Sequence, residues 1–237
     1  MKRLIVVLSL FLCIMLVGCE RQKSGSKESK RKQQKNSKTL EEELEEKVMS
    51  ILRDEPKDNL AWQKVTDIFE GRHYASGPVI VSALIRALCR NKSETIRWRA
   101  ADLLGSLPLY LPSKEAVRAL DKEAVRALIT ALKSDKSEKV RWKAAVALES
   151  RFSMPDDEII QALITALKSD KSEGVRKQAV YELFQLRKKL RESDKKIRQA
   201  LVAASKSDKS EGVRFNAANL LKASKEEEKN KEESKTD

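Results

Sequence analysis

The chain has 237 residues, a formal net charge of +13 and a pI near 9.6, with 36% charged and only 5% aromatic residues. A single histidine cannot build a multi-histidine metal site, and three cysteines cannot build a disulfide framework. The excess of lysine and arginine favours anionic partners or surfaces.

Lys2 and Arg3 give a positive start, and Leu4 to Gly18 is a run of 15 residues without a charge. Spanning a bilayer takes about 20 apolar residues, so this run has the length of a signal-peptide core rather than of a membrane helix. It ends in Leu16-Val17-Gly18-Cys19, which resembles the lipobox of bacterial lipoproteins. The resemblance implies removal of residues 1–18, acylation of Cys19 and a lipid anchor on the extracytoplasmic face of the cell membrane or outer membrane. Glu20 rather than aspartate after the cysteine resembles the outer-membrane sorting pattern. Processing would remove Cys13 and lower the net charge to +11, leaving Cys89 as a single thiol. Packing alone would then hold the domain together.

Residues 19–39 are expected to be the lipidated cysteine and a disordered basic tether. Positions 20–39 hold eight Lys or Arg, two Glu and no large apolar side chain, too little to build a core. As a coil this tether would reach about 25 Å, and its charge suits anionic headgroups or wall polymers as well as simple extension.

Residues 40–77 carry two helical patterns, Leu40, Leu44, Val48, Leu52 and then Leu60, Val65, Ile68, Phe69. They are expected to form an N-terminal helical cap on the folded region. His73 lies in a Gly71-Arg72-His73-Tyr74 loop and is expected to be exposed.

From residue 78 to 224 the chain repeats itself. Segments beginning at Ala83, Ala127, Ala162 and Ala200 share one frame, and in each the opening alanine precedes an arginine by 14 residues: Arg97, Arg141, Arg176 and Arg214. Those arginines are 44, 35 and 38 apart, and the long first interval has a visible cause. KEAVRALD at 114–121 is followed at once by KEAVRAL at 122–128.

Each unit reads as two helices. The first has an apolar stripe such as Ile160, Leu163, Ile164, Leu167, and the second Val175, Ala179, Leu183. Asp135, Asp170 and Asp208 each precede a glutamate by three residues, as Asn91 does, and are expected to cap the second helix. Gly174 and Gly212, just inside that helix, should weaken it and have no evident reason. Cys89 ends a first helix, where a buried free thiol is the usual case. Residues 225–237, mixed Lys and Glu, are expected to be a charged disordered tail.

The Asp-x-x-x-x-Val-Arg signature with paired small residues after it resembles HEAT repeats, in particular the short kind named for phycobilisome lyases. The resemblance implies an all-α fold, a right-handed α-solenoid of about four helix pairs. It also implies a ladder of hydrogen bonds pairing Asp135 with Arg141, Asp170 with Arg176 and Asp208 with Arg214. With Asn91 in place of aspartate, the Arg97 rung is expected to be weaker.

Immediately after the repeat arginines stand Trp98, Trp142, Lys177 and Phe215, off the buried stripe, with Tyr181 one turn beyond Lys177. In HEAT proteins the second helices line the concave surface. The resemblance therefore places these residues, with Arg99 and Lys143, on a groove suited to a partner bearing acidic and apolar groups. Packing of the same rings against the next repeat is the competing reading.

No Gly-rich phosphate loop or paired nucleophile and base is present, so neither an enzyme nor a cofactor or metal site is expected. The leading expectation is a monomeric, lipid-anchored scaffold for an unknown protein partner. Nucleic-acid or anionic-polymer binding is the alternative, although residues 40–221 carry 34 basic against 28 acidic residues, a modest excess. A bilin-lyase-like activity is a further alternative that export disfavours.

Overall fold

A computed structural model describes residues 42–53, 76–106, 114–150, 157–189 and 194–233. The chain divides into two compact units, Met1–Glu43 and Leu44–Asp237, and the second holds the repeats. The described residues form nine helices and no strand. Residues 42–53 are α1. The rest are α2 (Ser76–Arg90), α3 (Glu94–Ser106), α4 (Lys114–Ser134), α5 (Glu138–Ser150), α6 (Asp157–Ser169), α7 (Glu173–Lys189), α8 (Asp194–Ser207) and α9 (Glu211–Glu233). This is an all-α solenoid of four helix pairs. Among the described residues no helix is long and apolar enough to cross a membrane. His73 and the pattern at 60–69 lie outside the described residues, as do the signal segment, Cys19 and the tether.

The first helices bury a wide apolar stripe: Ile80, Leu84 and Leu88 in α2, Ala124, Leu128 and Leu132 in α4, Ile160, Leu163 and Leu167 in α6, Ile197 and Leu201 in α8. Their spacing of three, four and seven puts each set on one side of its helix. The second helices bury leucines such as Leu104, Leu148 and Leu183 together with adjacent pairs of small residues, Ala100 and Ala101, Ala144 and Ala145, Ala179 and Val180. Small side chains let α3, α5, α7 and α9 approach one another more closely than the first helices do, which makes them the inner layer. Between α3 and α5, Gly105 lies so near Ala147 that an added Cβ would stand 2.7 Å from its Cα.

The tandem duplication lengthens α4 at its N-terminal end to 21 residues, against 13–15 in the other first helices. Eight residues overshoot two helical turns by about 80°, so the two copies present different faces. Val125 and Leu128 are buried in the core; of the first copy Leu120 is buried as well, at its margin, whereas Val117 is only half-buried.

The turn between the paired helices differs from the expected aspartate cap. Each second helix begins at a glutamate, so the residue before it, a serine, holds the capping position. Ile96 and Val175 donate backbone N–H bonds at 3.4 Å to Ser93 and Ser172, and Val140 to Ser137 at 3.5 Å. The aspartate acts two residues earlier: the amides of Ser137, Ser172 and Ser210 donate to Asp135, Asp170 and Asp208 at 2.8 Å, and Ser93 to Asn91 at 2.9 Å.

The ladder is also offset from the expected pairing by one repeat. Asp135, Asp170 and Asp208 do not pair side chain to side chain with Arg141, Arg176 and Arg214 of their own repeats. Arg97 clasps Asp135 through Nε and Nη2 at 2.7 and 2.9 Å, Arg141 clasps Asp170 at 2.7 and 2.9 Å, and Arg176 clasps Asp208 at 2.9 and 3.0 Å. Within its own repeat each arginine instead donates Nη1 to backbone carbonyls, those of Asn91, Asp135, Asp170 and Asp208. The Arg97 rung is therefore no weaker than the others. Asn91 suffices in the first repeat because its side chain accepts from the turn amide of Ser93, and no preceding repeat arginine stands among the described residues. Arg214 is the converse, an arginine with no later repeat aspartate among the described residues.

The three rungs are buried, with arginine side chains 3–5% exposed. Burial by itself would raise the carboxyls of Asp135, Asp170 and Asp208. Hydrogen bonds from guanidinium and serine amide, with the adjacent positive charge, outweigh it and hold all three below the ordinary aspartate range.

The tail expected to be disordered from residue 225 is instead helical as far as Glu233. Its lysine and glutamate content has high helix propensity, and it simply continues α9.

Candidate binding face

The inner layer presents the positions one and five residues after each repeat arginine, opposite the side that packs on the first helices. Three large apolar side chains are exposed among the described residues: Trp142 at 37%, Tyr181 at 49% and Phe215 at 63%. All three occupy those positions, on α5, α7 and α9. Positions one and five residues along share a helix face, so the three fall in one band that crosses three repeats.

The first-repeat end of this band is different, because its side chains are engaged inside the protein. Trp98 is partly buried and packs against the core. The Lys143 ammonium lies 4.6 Å from the centroid of the Trp98 ring and 5.3 Å from that of Trp142, within cation–π range. It also forms a 3.0 Å ion pair with Asp102, and its side chain is only 14% exposed. Arg99 donates to the carbonyl of Leu52 at 2.7 Å and so fastens the end of α1 to α3. A second link, Arg86 to Glu45 at 2.6 Å, ties α1 to α2. Of the residues expected to bind a partner, Trp98, Arg99 and Lys143 thus serve packing, while Trp142, Tyr181 and Phe215 face solvent.

Lys177 lies between these groups. Its ammonium pairs with Glu173 at 2.5 Å, one turn earlier on α7. Hydrogen bonds from Lys177 and then Ser210 hold the Glu173 carboxyl below its usual range. Gly212 sits beside this pair: a Cβ there would stand 2.5 Å from Lys177 Nζ and 2.7 Å from Glu173 Oε1, the far ends of two flexible, exposed side chains that can move aside. A Cβ on Gly174 would meet Ser172 Oγ at 3.5 Å, an ordinary contact, and nothing in the structure explains this glycine.

Cys89 is exposed rather than buried. It stands at the end of α2 where the other first helices have Lys133, Lys168 and Lys206. It lines an open notch of about 400 Å³ between the first two repeats, with Arg90, Lys92, Ser134, Asp135 and Lys136. Partial burial pushes the thiol above its ordinary pKa despite the adjacent Arg90, which disfavours the nucleophilic thiolate.

Residues 125–191, from the second half of α4 to just beyond α7, match the family of HEAT repeats. That segment is built of HEAT repeats. The match contains the middle rung whole, Arg141 with Asp170, and the helix pairs on either side repeat the same turn and the same arginine bond to a backbone carbonyl. No curated protein matches the chain at a significant level.

The cage that holds Lys143 escaped the sequence reading because nothing local marks it. Trp98 and Asp102 come from one repeat and Lys143 from the next, and only stacking of α3 on α5 brings them together.

Proposed function

We propose that this protein is a lipid-anchored scaffold of the extracytoplasmic face, at the cell membrane or outer membrane. It would hold a protein partner against the inner layer of its HEAT solenoid, without catalysis of its own. The observation that carries this reading is the band of Trp142, Tyr181 and Phe215. Solenoid inner surfaces are extended recognition surfaces, and exposed aromatic side chains are the usual anchors of protein interfaces. The lipobox at Leu16 to Cys19 supports the anchored part.

The partner-binding part is tested with a photo-crosslinking residue placed at Phe215 or Tyr181 in living cells. Thr165, exposed on the outer helix α6, is the comparison position. The expected result is a discrete adduct from the inner positions and none from Thr165. No adduct, or the same adducts from both layers, would end the reading. Mass spectrometry of the native N-terminal fragment tests the anchor separately, with acylated Cys19 expected and an intact Met1 contradicting it.

A further inference from the structure

Each helix pair runs down its first helix and back along its second, so all four inter-helix turns lie along one edge of the solenoid. That edge carries Arg90 and Lys92, Lys133 and Lys136, Lys168 and Lys171, and Lys206 and Lys209, all exposed, with Lys139 beside them. Its aspartates contribute little opposing charge, because Asp135, Asp170 and Asp208 are buried against Arg97, Arg141 and Arg176. What remains is Glu94, Glu138, Glu173 and Glu211 at the helix starts. Glu94 reaches Lys139 at 3.7 Å, and Glu173 is held by Lys177. Among the described residues, none of the six lysines at 133, 136, 168, 171, 206 and 209 takes part in an ion pair.

The cations recur at the spacing of packed helices, about 8–10 Å, in a strip two side chains wide. No aromatic ring stands in this strip, so it lacks the stacking platform used for single-stranded nucleic acid. The notch between the first two repeats opens on the same edge, with Arg90, Lys92 and Lys136 around it.

We infer that this inter-helix edge is a docking surface for a layer of anionic lipid headgroups. The inference deepens the anchored reading above and rests on it for the choice of a bilayer as occupant. Residues 20–39, with eight Lys or Arg, would be drawn to the same surface. Attraction of clustered cations to anionic lipid is additive and acts within a Debye length, about 8 Å at physiological salt. Docked in this way, the solenoid stands on its edge, and Tyr181 and Phe215 stay open at the side to a protein partner.

The test uses the unlipidated chain from residue 19 onward, carrying Cys19→Ser, with equimolar phosphatidylglycerol–phosphatidylcholine vesicles and pure phosphatidylcholine vesicles. The edge variant is Lys136→Glu, Lys171→Glu, Lys209→Glu. A control with the same change of net charge is Arg118→Glu, Lys122→Glu, Lys196→Glu, all exposed and in the halves of α4 and α8 far from the edge. The parent should bind the anionic vesicles, release them at about 0.5 M salt and ignore neutral ones. The edge variant should lose about tenfold or more in affinity and the control less than about threefold, with equal helical content by circular dichroism. Equal losses in the two variants would reduce the effect to net charge and overturn the proposal. So would an edge variant that keeps vesicle binding while losing heparin, which assigns the edge to a soluble polyanion. Unmodified Cys19 in the native protein would remove the anchor but leave these vesicle measurements standing.

Discussion

Each buried rung places a guanidinium and a carboxylate out of water, and their geometry decides what removing one of them does. Arg141→Ala would leave the Asp170 carboxylate, 6% exposed, with the Ser172 amide as its remaining neighbouring donor. Such half-removal of a buried pair costs about 3–5 kcal/mol. Arg214→Ala removes an arginine that bonds only a backbone carbonyl and should cost about 1 kcal/mol. Urea denaturation of the two variants should separate them clearly, and equal losses would show that the rungs contribute nothing beyond ordinary surface contacts. The same rungs set the acid response. Asp135, Asp170 and Asp208 are held below the unfolded value of about 3.9. Their stabilisation is therefore complete above that pH and is lost as pH falls from there through the folded values. Stability measured by urea should hold steady down to about pH 5 and fall below about pH 4, less steeply in Asp170→Asn.

At the level of helices, glycine shows how closely the layers are set. Gly105→Ala would drive a methyl group into the Ala147 backbone at 2.7 Å. Overpacking at such a contact costs about 1–3 kcal/mol and should outweigh the gain in helix propensity. Gly174→Ala meets only ordinary contact and should add about 0.5–1 kcal/mol by favouring the first turn of α7. Thermal melts of opposite sign are the expected outcome. The duplicated stretch of α4 is a second element-scale case. Deleting residues 114–121 returns α4 to the length of its counterparts and leaves Ala124, Val125 and Leu128 in place. It does remove Leu120, which is 8% exposed. The shortened protein should still unfold cooperatively, with a loss of about 1–2 kcal/mol; a broad, non-cooperative melt would show that the extra turns are integral.

Over the whole molecule, the inner layer divides into a packed end and an open end, and stability should divide with it. Trp98→Ala removes a ring from the core side and opens the cage around Lys143, a loss of about 3 kcal/mol, near the lower end for a buried aromatic. The pair Tyr181→Ala with Phe215→Ala changes exposed side chains and should stay within about 1 kcal/mol in total. A circular-dichroism melt distinguishes them, and early melting of the Tyr181 and Phe215 pair would mean that these rings stabilise repeat stacking. The terminal repeats also differ from the middle ones. Val180 and Phe184 of α7 are buried, yet the corresponding places in α9 are Ala218 and Lys222, both exposed. A more polar outer face is what ends a solenoid.

The repeat frame, the helix pairs and the apolar stripes of α2, α4, α6 and α8 were legible in the sequence because they depend on spacing within one helix. The existence of a ladder was implied by the Asp and Arg signature, but not its partners. Asp135 lies 38 residues from Arg97 and six from Arg141, and proximity in sequence favoured the wrong one. The same holds for the face: composition located Trp98, Trp142, Tyr181 and Phe215 at related positions. Which of them a neighbouring helix covers was decided by how α3, α5, α7 and α9 stack. Periodicity fixes the direction in which a side chain leaves its own helix, whereas burial depends on what another helix places opposite it.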